Sequence, residues 1–321
     1  MRRISVIGGR ELTLLIACVL VAVAASAASP YFATIDNLST VLRNSIELMI
    51  IALGMSLLLA MGGIDVSIGM VLGLAAFAAG TLVAGGHAPA APILAGPLVG
   101  GLLGIITGAV VVLGGIPAIV GSLGLFGVYR AAIFLLLGGR WLSGLPPTLT
   151  NVLSSNLLGV PLAAIVIAAL YLAVWVALRF TPYGPHLLAI GNNEEKARLS
   201  GVSVRRVRIA TFVVSGALAG VAADFYVSTY RNVAMTIGGN IALEAIAASV
   251  LGGASVMGGG CSLSGTALGV ILIRLIQNGL VLVGIPSLWQ TVVTGALLLL
   301  VLSGEALRGR VSAPRLSWRP S

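Results

Sequence analysis

Few side chains in this sequence could do chemistry, and most stand alone in apolar surroundings. "IGGNIALEAIAASVLGG" places Asn240 and Glu244 four residues apart, on one face of a helix. "LIRLIQNGLVL" sets Arg274, Gln277 and Asn278 inside one apolar run, and Gln290 opens the next. Asp65 and Ser67 lie in "GGIDVSIG", just after the glycine pair Gly62–Gly63. Such groups either line a wet passage for a polar solute or form hydrogen bonds that hold helices together. Asp65 has the same two readings: an N-cap oxygen for the helix that follows, or a half-helix terminus facing a solute. Glu47 is expected at a membrane interface, near the outer end of its run. Asp224 and Arg231 are expected to flank the outer end of another, and Arg130 lies within a third.

A second polar group is concentrated in "AIGNNEEKARLSGVSVRRVR", residues 189–208. It holds the adjacent acids Glu194 and Glu195 and the chain's sole lysine, Lys196, followed by Arg205, Arg206 and Arg208. The spacing predicts a short helix with Asn192 as N-cap and Glu195 reaching back to it, as in a capping box. Glu194 and Glu195 favour the helix amino end through its dipole, and Gly201 supplies a stop. Ala197, Ser200 and Gly201 leave a smooth face about two turns long. From the residues alone this is either a docking element or a solvated loop.

Enzyme chemistry finds little support. With one lysine, in an acidic helix-like context, no G-x-x-x-x-G-K-[ST] occurs, so the chain shows no phosphate loop for ATP hydrolysis. G-x-S-x-G, H-E-x-x-H and dinucleotide fingerprints are absent, and His87 and His186 are far apart. No catalytic residue and no metal ligand set is assigned; Cys18 and Cys261 suggest neither a disulfide framework nor a cluster.

These residues are set in a chain of 321 residues that is 58% hydrophobic and 8% charged, against about 25% charged in a soluble domain. The fold class is therefore an all-α integral membrane protein; long continuous apolar runs, without alternation, exclude an outer-membrane barrel. Ten spans are predicted, at 12–29, 46–61, 66–84, 91–113, 118–138, 160–179, 207–228, 240–257, 263–284 and 288–303, in one transmembrane domain over 1–321. The first run could be read as a signal peptide, with small residues in "ASAAS", but an uncleaved helix fits the many spans that follow. The net charge of +9 is positional and does not point to nucleic acid. With the amino terminus in the cytoplasm, inward segments hold Arg2, Arg3, Arg10, Lys196, Arg198, Arg205, Arg206, Arg208 and the carboxy-terminal arginines. Outward loops hold Arg43, Arg140 and Arg231. Both termini are then cytoplasmic, and 180–206 is a cytoplasmic loop. Gly96, Gly100, Gly104 and Gly108, with Gly216 and Gly220, form small-residue stripes for close helix packing. The Gly-rich breaks "MGGIDVSIGMVLG" and "LGGASVMGGGCSLSGTALG", in opposite halves, hint at related halves. Ionisable groups within the spans are few, which favours an external energy source over a proton or sodium gradient.

The 189–208 stretch resembles the cytoplasmic coupling segment of the ribose-type simple-sugar permeases of ATP-binding-cassette importers, with its recurring "a-i-G-x-N-x-x-A-A-r-x-s-G-i". Gly191, Asn193, Ala197, Ser200 and Gly201 keep that frame, and Lys196 stands where an alanine is usual. "GGIDVSIG", "LEAIAASVLGGASVMGGG" and "QNGLVLVGIPSLWQTVVTGALLLL" fit the same family, so the resemblance covers essentially the whole chain. Cys261 departs from a glycine common in that turn. "IPAIVGSLGLFGVYRAAIFLLLGGRWLSGLP" is similar to channel subunits for autoinducer-2 and methylpentoses.

The resemblance implies an inner-membrane permease subunit for a monosaccharide or a sugar-like signal, paired with an identical or homologous permease. It implies two cytoplasmic ATPase domains that hold ATP and Mg, and an extracytoplasmic solute-binding protein; this chain itself binds no cofactor. Gly191, Asn192, Asn193, Glu194, Glu195, Lys196, Ala197, Ser200 and Gly201 become the ATPase-coupling residues. Asp65, Ser67, Asn240, Glu244, Asn278 and Gln290 are the candidates for the solute pathway. An ATP-independent secondary carrier or channel is the other class these residues allow. A branched-chain amino acid permease shares the architecture, although "GGIDVSIG" is of the sugar type.

Overall fold

A computed structural model describes residues 9–286, 288–293, 295, 296, 299, 300 and 303. In chain order the helices are α1 (Gly9–Ala28), α2 (Ile35–Ala60), α3 (Ile68–Ala84), α4 (Ala90–Leu113), α5 (Ala118–Leu137) and α6 (Thr148–Leu153). A small hairpin follows, β1 (Asn156–Leu157) antiparallel to β2 (Val160–Pro161). Then come α7 (Leu162–Phe180), α8 (Tyr183–Asn192), α9 (Glu194–Leu199), α10 (Val204–Tyr230), α11 (Ile241–Gly252) and α12 (Leu263–Leu282). Helices dominate because backbone groups in lipid must find partners within their own segment.

Among the described residues, seven helices are long and apolar enough to cross a membrane, and α3 and α11 are shorter apolar helices. Of the expected span 288–303, residues 288–293, 295, 296, 299, 300 and 303 are described and helical, and 294, 297, 298, 301 and 302 lie outside the described residues. Two boundaries differ from expectation for clear reasons. Helix α2 starts at Ile35, not near residue 46, because the Thr34 hydroxyl accepts the Asn37 N–H at 3.3 Å and caps the chain there. Helix α11 ends at Gly252, short of 257, because Gly253 takes the left-handed conformation, φ 111°.

Helix α2 is the axle: Leu48, Ile50, Ile51, Ala52 and Leu53 are fully buried. Helices α1, α5 and α7 instead present most of their side chains outward, as lipid-facing helices do. Lipid tails are as apolar as leucine, so close van der Waals fit holds such a bundle together. One such close fit lies where α4 crosses α10. A Cβ on Gly100 would strike the Gly216 carbonyl oxygen, and one on Gly216 would strike that of Gly100. Helix α1 lies on α12, where Leu14 and Cys18 pack with Leu272 and Leu275. Its first turn is tied down by Arg10, which donates to the Val250 carbonyl at 2.7 Å, and by Glu11, which accepts from Ser262 Oγ at 2.7 Å.

The stretch 231–240 is not helical. It is held to the 138–147 segment by an antiparallel bridge, Leu142 to Val233, and by Arg231 Nε donating to the Leu145 carbonyl at 2.7 Å. From there it descends along α3: Val233 lies beside Gly80, Ile237 beside Gly73, and Gly238 against Gly69. Eleven residues of α3 correspond to about 16 Å of depth. Helix α11 therefore begins inside the bundle, and its 12 residues, about 18 Å, make it a half-helix.

Candidate functional site: a seated helix pair and a polar cavity

The predicted loop 180–206 contains two helices where one was expected. Proline is tolerated in a first helical turn, and Pro182 and Pro185 open α8. Asn192 closes α8, its Nδ2 donating to the Leu188 carbonyl at 2.8 Å, so it is not the cap of the next helix. Asn193 is. Its backbone is extended (φ −166°, ψ 105°), and its Oδ1 accepts the Lys196 N–H at 2.8 Å. Lys196 thus holds the position that a capping box would give to Glu195, and Glu194 and Glu195 occupy the first turn, where the dipole favours them. Gly201 ends the helix at φ +84°. Its N–H reaches the Arg198 carbonyl at 3.0 Å and the Val202 N–H reaches that of Ala197 at 3.1 Å, the paired bonds of a Schellman motif.

This helix pair is seated directly on the bundle. A Cβ on Gly191 would collide with the Ala60 carbonyl and the Gly259 nitrogen, so α8 touches the end of α2 backbone to backbone. The Gly259 N–H also donates to the Ala60 carbonyl at 2.9 Å. Both Gly-rich breaks of the sequence therefore meet under Gly191. Tyr183 and Thr211 pair their hydroxyls at 2.9 Å, joining α8 to α10. Ala197 is buried, whereas the predicted smooth face had it outward. Glu194 accepts from Arg208 at 2.9 Å, which assigns it to holding α9 on α10. Exposed on α9 are Glu195, Lys196, Arg198 and Leu199, with Ser200 just beyond its end, and Leu199 is 80% exposed. Leu199 was missed because a single leucine in a charged stretch carries no signal of which way it faces.

The second feature lies at the start of the half-helix. A cavity of about 270 Å³ is lined by Glu47, Tyr226, Thr236, Asn240, Glu244 and Arg274, among others. That is far above the ~10–15 Å³ one water needs, and at the small end of ligand sites, roughly 300–1,000 Å³. Arg274 and Glu244 form an ion pair at 3.1 Å, bridged by Gln277, which accepts from Arg274 at 2.5 Å and donates to Glu244 at 3.1 Å. Glu47 sits deep in α2 and is 6% exposed, not interfacial as its place in the sequence suggested.

The remaining predicted pathway residues fall elsewhere. Asp65 is buried, and its Oδ1 accepts both the Ser67 N–H at 2.8 Å and the Ser67 hydroxyl at 2.6 Å, closing the turn before α3. Asn278 exchanges hydrogen bonds with Asn37 at 2.9 Å, joining α12 to α2. Gln290 is half-buried beyond α12. The structure thus brings Asn240 and Glu244 together at the cavity, with Glu47 and Arg274, and leaves Asp65, Ser67 and Asn278 as packing groups. Asp224, expected at an outer end, is buried in the α4–α10 contact, where among the described residues its Oδ1 has no hydrogen-bond partner.

The family described as branched-chain amino acid transport system, permease component, matches residues 37–302. The autoinducer 2 import system permease protein LsrC of Enterobacter sp. (strain 638) is 36% identical over 299 residues, 92% of this chain and 87% of that one. LsrC of Klebsiella pneumoniae subsp. pneumoniae is also 36% identical over 299 residues, with the same coverage. LsrC of Escherichia coli (strain K12 / DH10B) is 33% identical over 294 residues, 91% of this chain and 86% of that one. No solved structure matches the chain. The membrane-spanning helices, their small-residue contacts and these relatives converge: the chain belongs to the branched-chain amino acid transport system permease family, as a multi-pass inner-membrane permease subunit of an ATP-binding-cassette importer, a transport component and not a catalytic one.

Proposed function

We propose that this subunit imports a small polar solute of the monosaccharide class, or autoinducer 2 itself, and is driven through α8 and α9. The solute reading is supported by the relatives, which are named for autoinducer 2 import. In this account two cytoplasmic ATPase domains hold the ATP and Mg, an extracytoplasmic binding protein delivers the solute, and a second permease, identical or homologous, completes the pathway. In the same account the tenth span, 288–303, returns the carboxy terminus to the cytoplasm, where Lys196, Arg198, Arg205, Arg206 and Arg208 also lie.

The observation that carries the coupling role is the direct backbone seat of Gly191 on Ala60 and Gly259. At Gly191, α8 bears on the end of α2 and on the turn between α11 and α12 without an intervening side chain. The exposed Leu199 is the apolar anchor such a docking face requires, set among the charged rim of Glu195 and Lys196.

The test is Leu199→Asp in the assembled importer. The side chain is exposed, so insertion and thermal stability of the subunit should stay within ±0.5 kcal/mol. Co-purification of the ATPase should weaken and import should fall at least tenfold, the loss of about 1.4 kcal/mol at the interface. Undiminished import together with undiminished ATPase binding would remove α9 from the docking face.

A further inference from the structure

The hairpin β1–β2 is held firmly at its base and bare at its tip. Leu162, the first residue of α7, donates its N–H to the Ser155 carbonyl at 2.9 Å and closes the hairpin onto that helix. Helix α6, just before it, buries Leu149 and Leu153, and Thr150 Oγ1 donates to the Ser228 carbonyl of α10 at 2.6 Å. The pairing of Leu157 with Val160 leaves a two-residue loop, Leu158–Gly159, and both residues are left-handed, φ 53° and 81°. Asn-Gly suits such a loop, whereas a leucine there is strained. Leu158 is 97% exposed, so burial among the described residues does not offset that strain. Leu157 and Val160 lie opposite each other and share one face of the ribbon, also exposed; Asn156 and Pro161 take the other face.

The place of the hairpin along the membrane normal follows from α7. That helix presents most of its side chains outward, and its 19 residues, about 28 Å, match a hydrocarbon core of about 30 Å. Leu162 therefore lies near the edge of the hydrocarbon, and the hairpin closed onto it lies at headgroup depth. Trp141, 61% exposed just past the end of α5, lies at the same end of the bundle, since Leu142 bridges to Val233. Tryptophan gathers at that depth in membranes. From Trp141 to Leu178 the sequence holds no Asp, Glu, Lys, Arg or His, so no charge holds this segment in bulk water. A knob for a soluble partner would carry a polar rim around its apolar centre, and the ribbon offers only Asn156 beside Leu157, Leu158 and Val160.

From this geometry we infer that the hairpin is a lipid anchor: Leu157, Leu158 and Val160 sink into the headgroup–acyl boundary beside α7, continuing the lipid-facing surface of that helix. Contact with acyl chains then supplies the burial that a left-handed, exposed Leu158 lacks within the chain. The absence of charge fits a zwitterionic surface and asks for no anionic lipid.

The experiment attaches a nitroxide at Leu157→Cys or, separately, at Asn156→Cys, in the full-length chain with Cys18→Ser and Cys261→Ser. The chain is assembled with its permease partner and ATPase in phosphatidylcholine nanodiscs, and the thermal midpoint of each labelled chain is measured beside the parent's. Collisions with oxygen, which concentrates in lipid, are compared with collisions with a neutral nickel chelate, which stays in water. The oxygen-to-nickel ratio at position 157 should exceed that at 156 by about threefold or more, as for a side chain sunk past the headgroups. Leu158→Asn suits the left-handed position and keeps the hairpin, and it should lower the ratio at 157 toward that at 156. Equal ratios at the two positions overturn the anchor, and a ratio indifferent to Leu158→Asn overturns the part given to Leu158. Two further results would assign the hairpin to a protein and overturn the lipid reading. One is nickel access at 157 that is lost when the binding protein is added, which makes the hairpin its docking knob. The other is low collision with both reagents before any binding protein is present, which puts the hairpin against the second permease.

Discussion

Asp65 and Glu47 are both buried carboxylates, and their surroundings give them different work. Asp65 spends one oxygen on two donors from Ser67, in the turn that starts α3. Its removal leaves those donors unmet. Asp65→Ala should destabilise the subunit by about 1–3 kcal/mol, the usual cost of leaving a buried donor unsatisfied. A lowered thermal midpoint in detergent, partly restored in Asp65→Asn, is the expected result; an unchanged midpoint would show that the turn holds without it. That Asp65 has a local purpose was legible in "GGIDVSIG", but Ser67, not Asp65, is the N-cap of α3, and Asp65 instead closes the turn before it. Glu47 was not legible. In "SIELMIIAL" a carboxylate looks the same at a membrane interface and in a buried core, and only the early start of α2 at Ile35 puts it deep.

Among the elements, what could be read in advance was whatever depends on a repeating pattern. The glycines spaced by four on α4 predicted close packing, and they meet Gly216 and Gly220 of α10 across shared backbone surfaces. Gly100→Ala should therefore force the two helices apart, at about 1–3 kcal/mol. Gly124→Ala on α5, where an added Cβ meets open space, should be neutral. Stability of the two variants in detergent checks this, and equal stability would contradict the packing. Elements fixed by single conformations were harder to foresee. The end of α11 rests on one left-handed glycine among several in "LGGASVMGGG", and the break between α8 and α9 rests on one extended asparagine. The descent of 231–240 along α3 left no periodic trace, because an irregular segment is set by its neighbours and not by its own repeat.

Taken whole, the molecule joins two places far apart in the sequence through one rigid member. Helix α2 carries Glu47 at the cavity and ends at Ala60, under Gly191 of the α8–α9 pair. Thirteen residues of helix, about 20 Å, separate them. If α9 is the coupling element proposed above, force on it would pass through α8 at Gly191 to the end of α2. The outward-facing α1, α5 and α7 leave that path enclosed. The central claim is that ATP hydrolysed elsewhere moves solute through this subunit. Its most direct measurement is uptake of labelled autoinducer 2 or a monosaccharide into proteoliposomes holding the chain with its permease partner, ATPase and binding protein. The account predicts accumulation only when ATP and the binding protein are both present; equal uptake after the ATPase is left out would make the subunit a carrier or channel and contradict it.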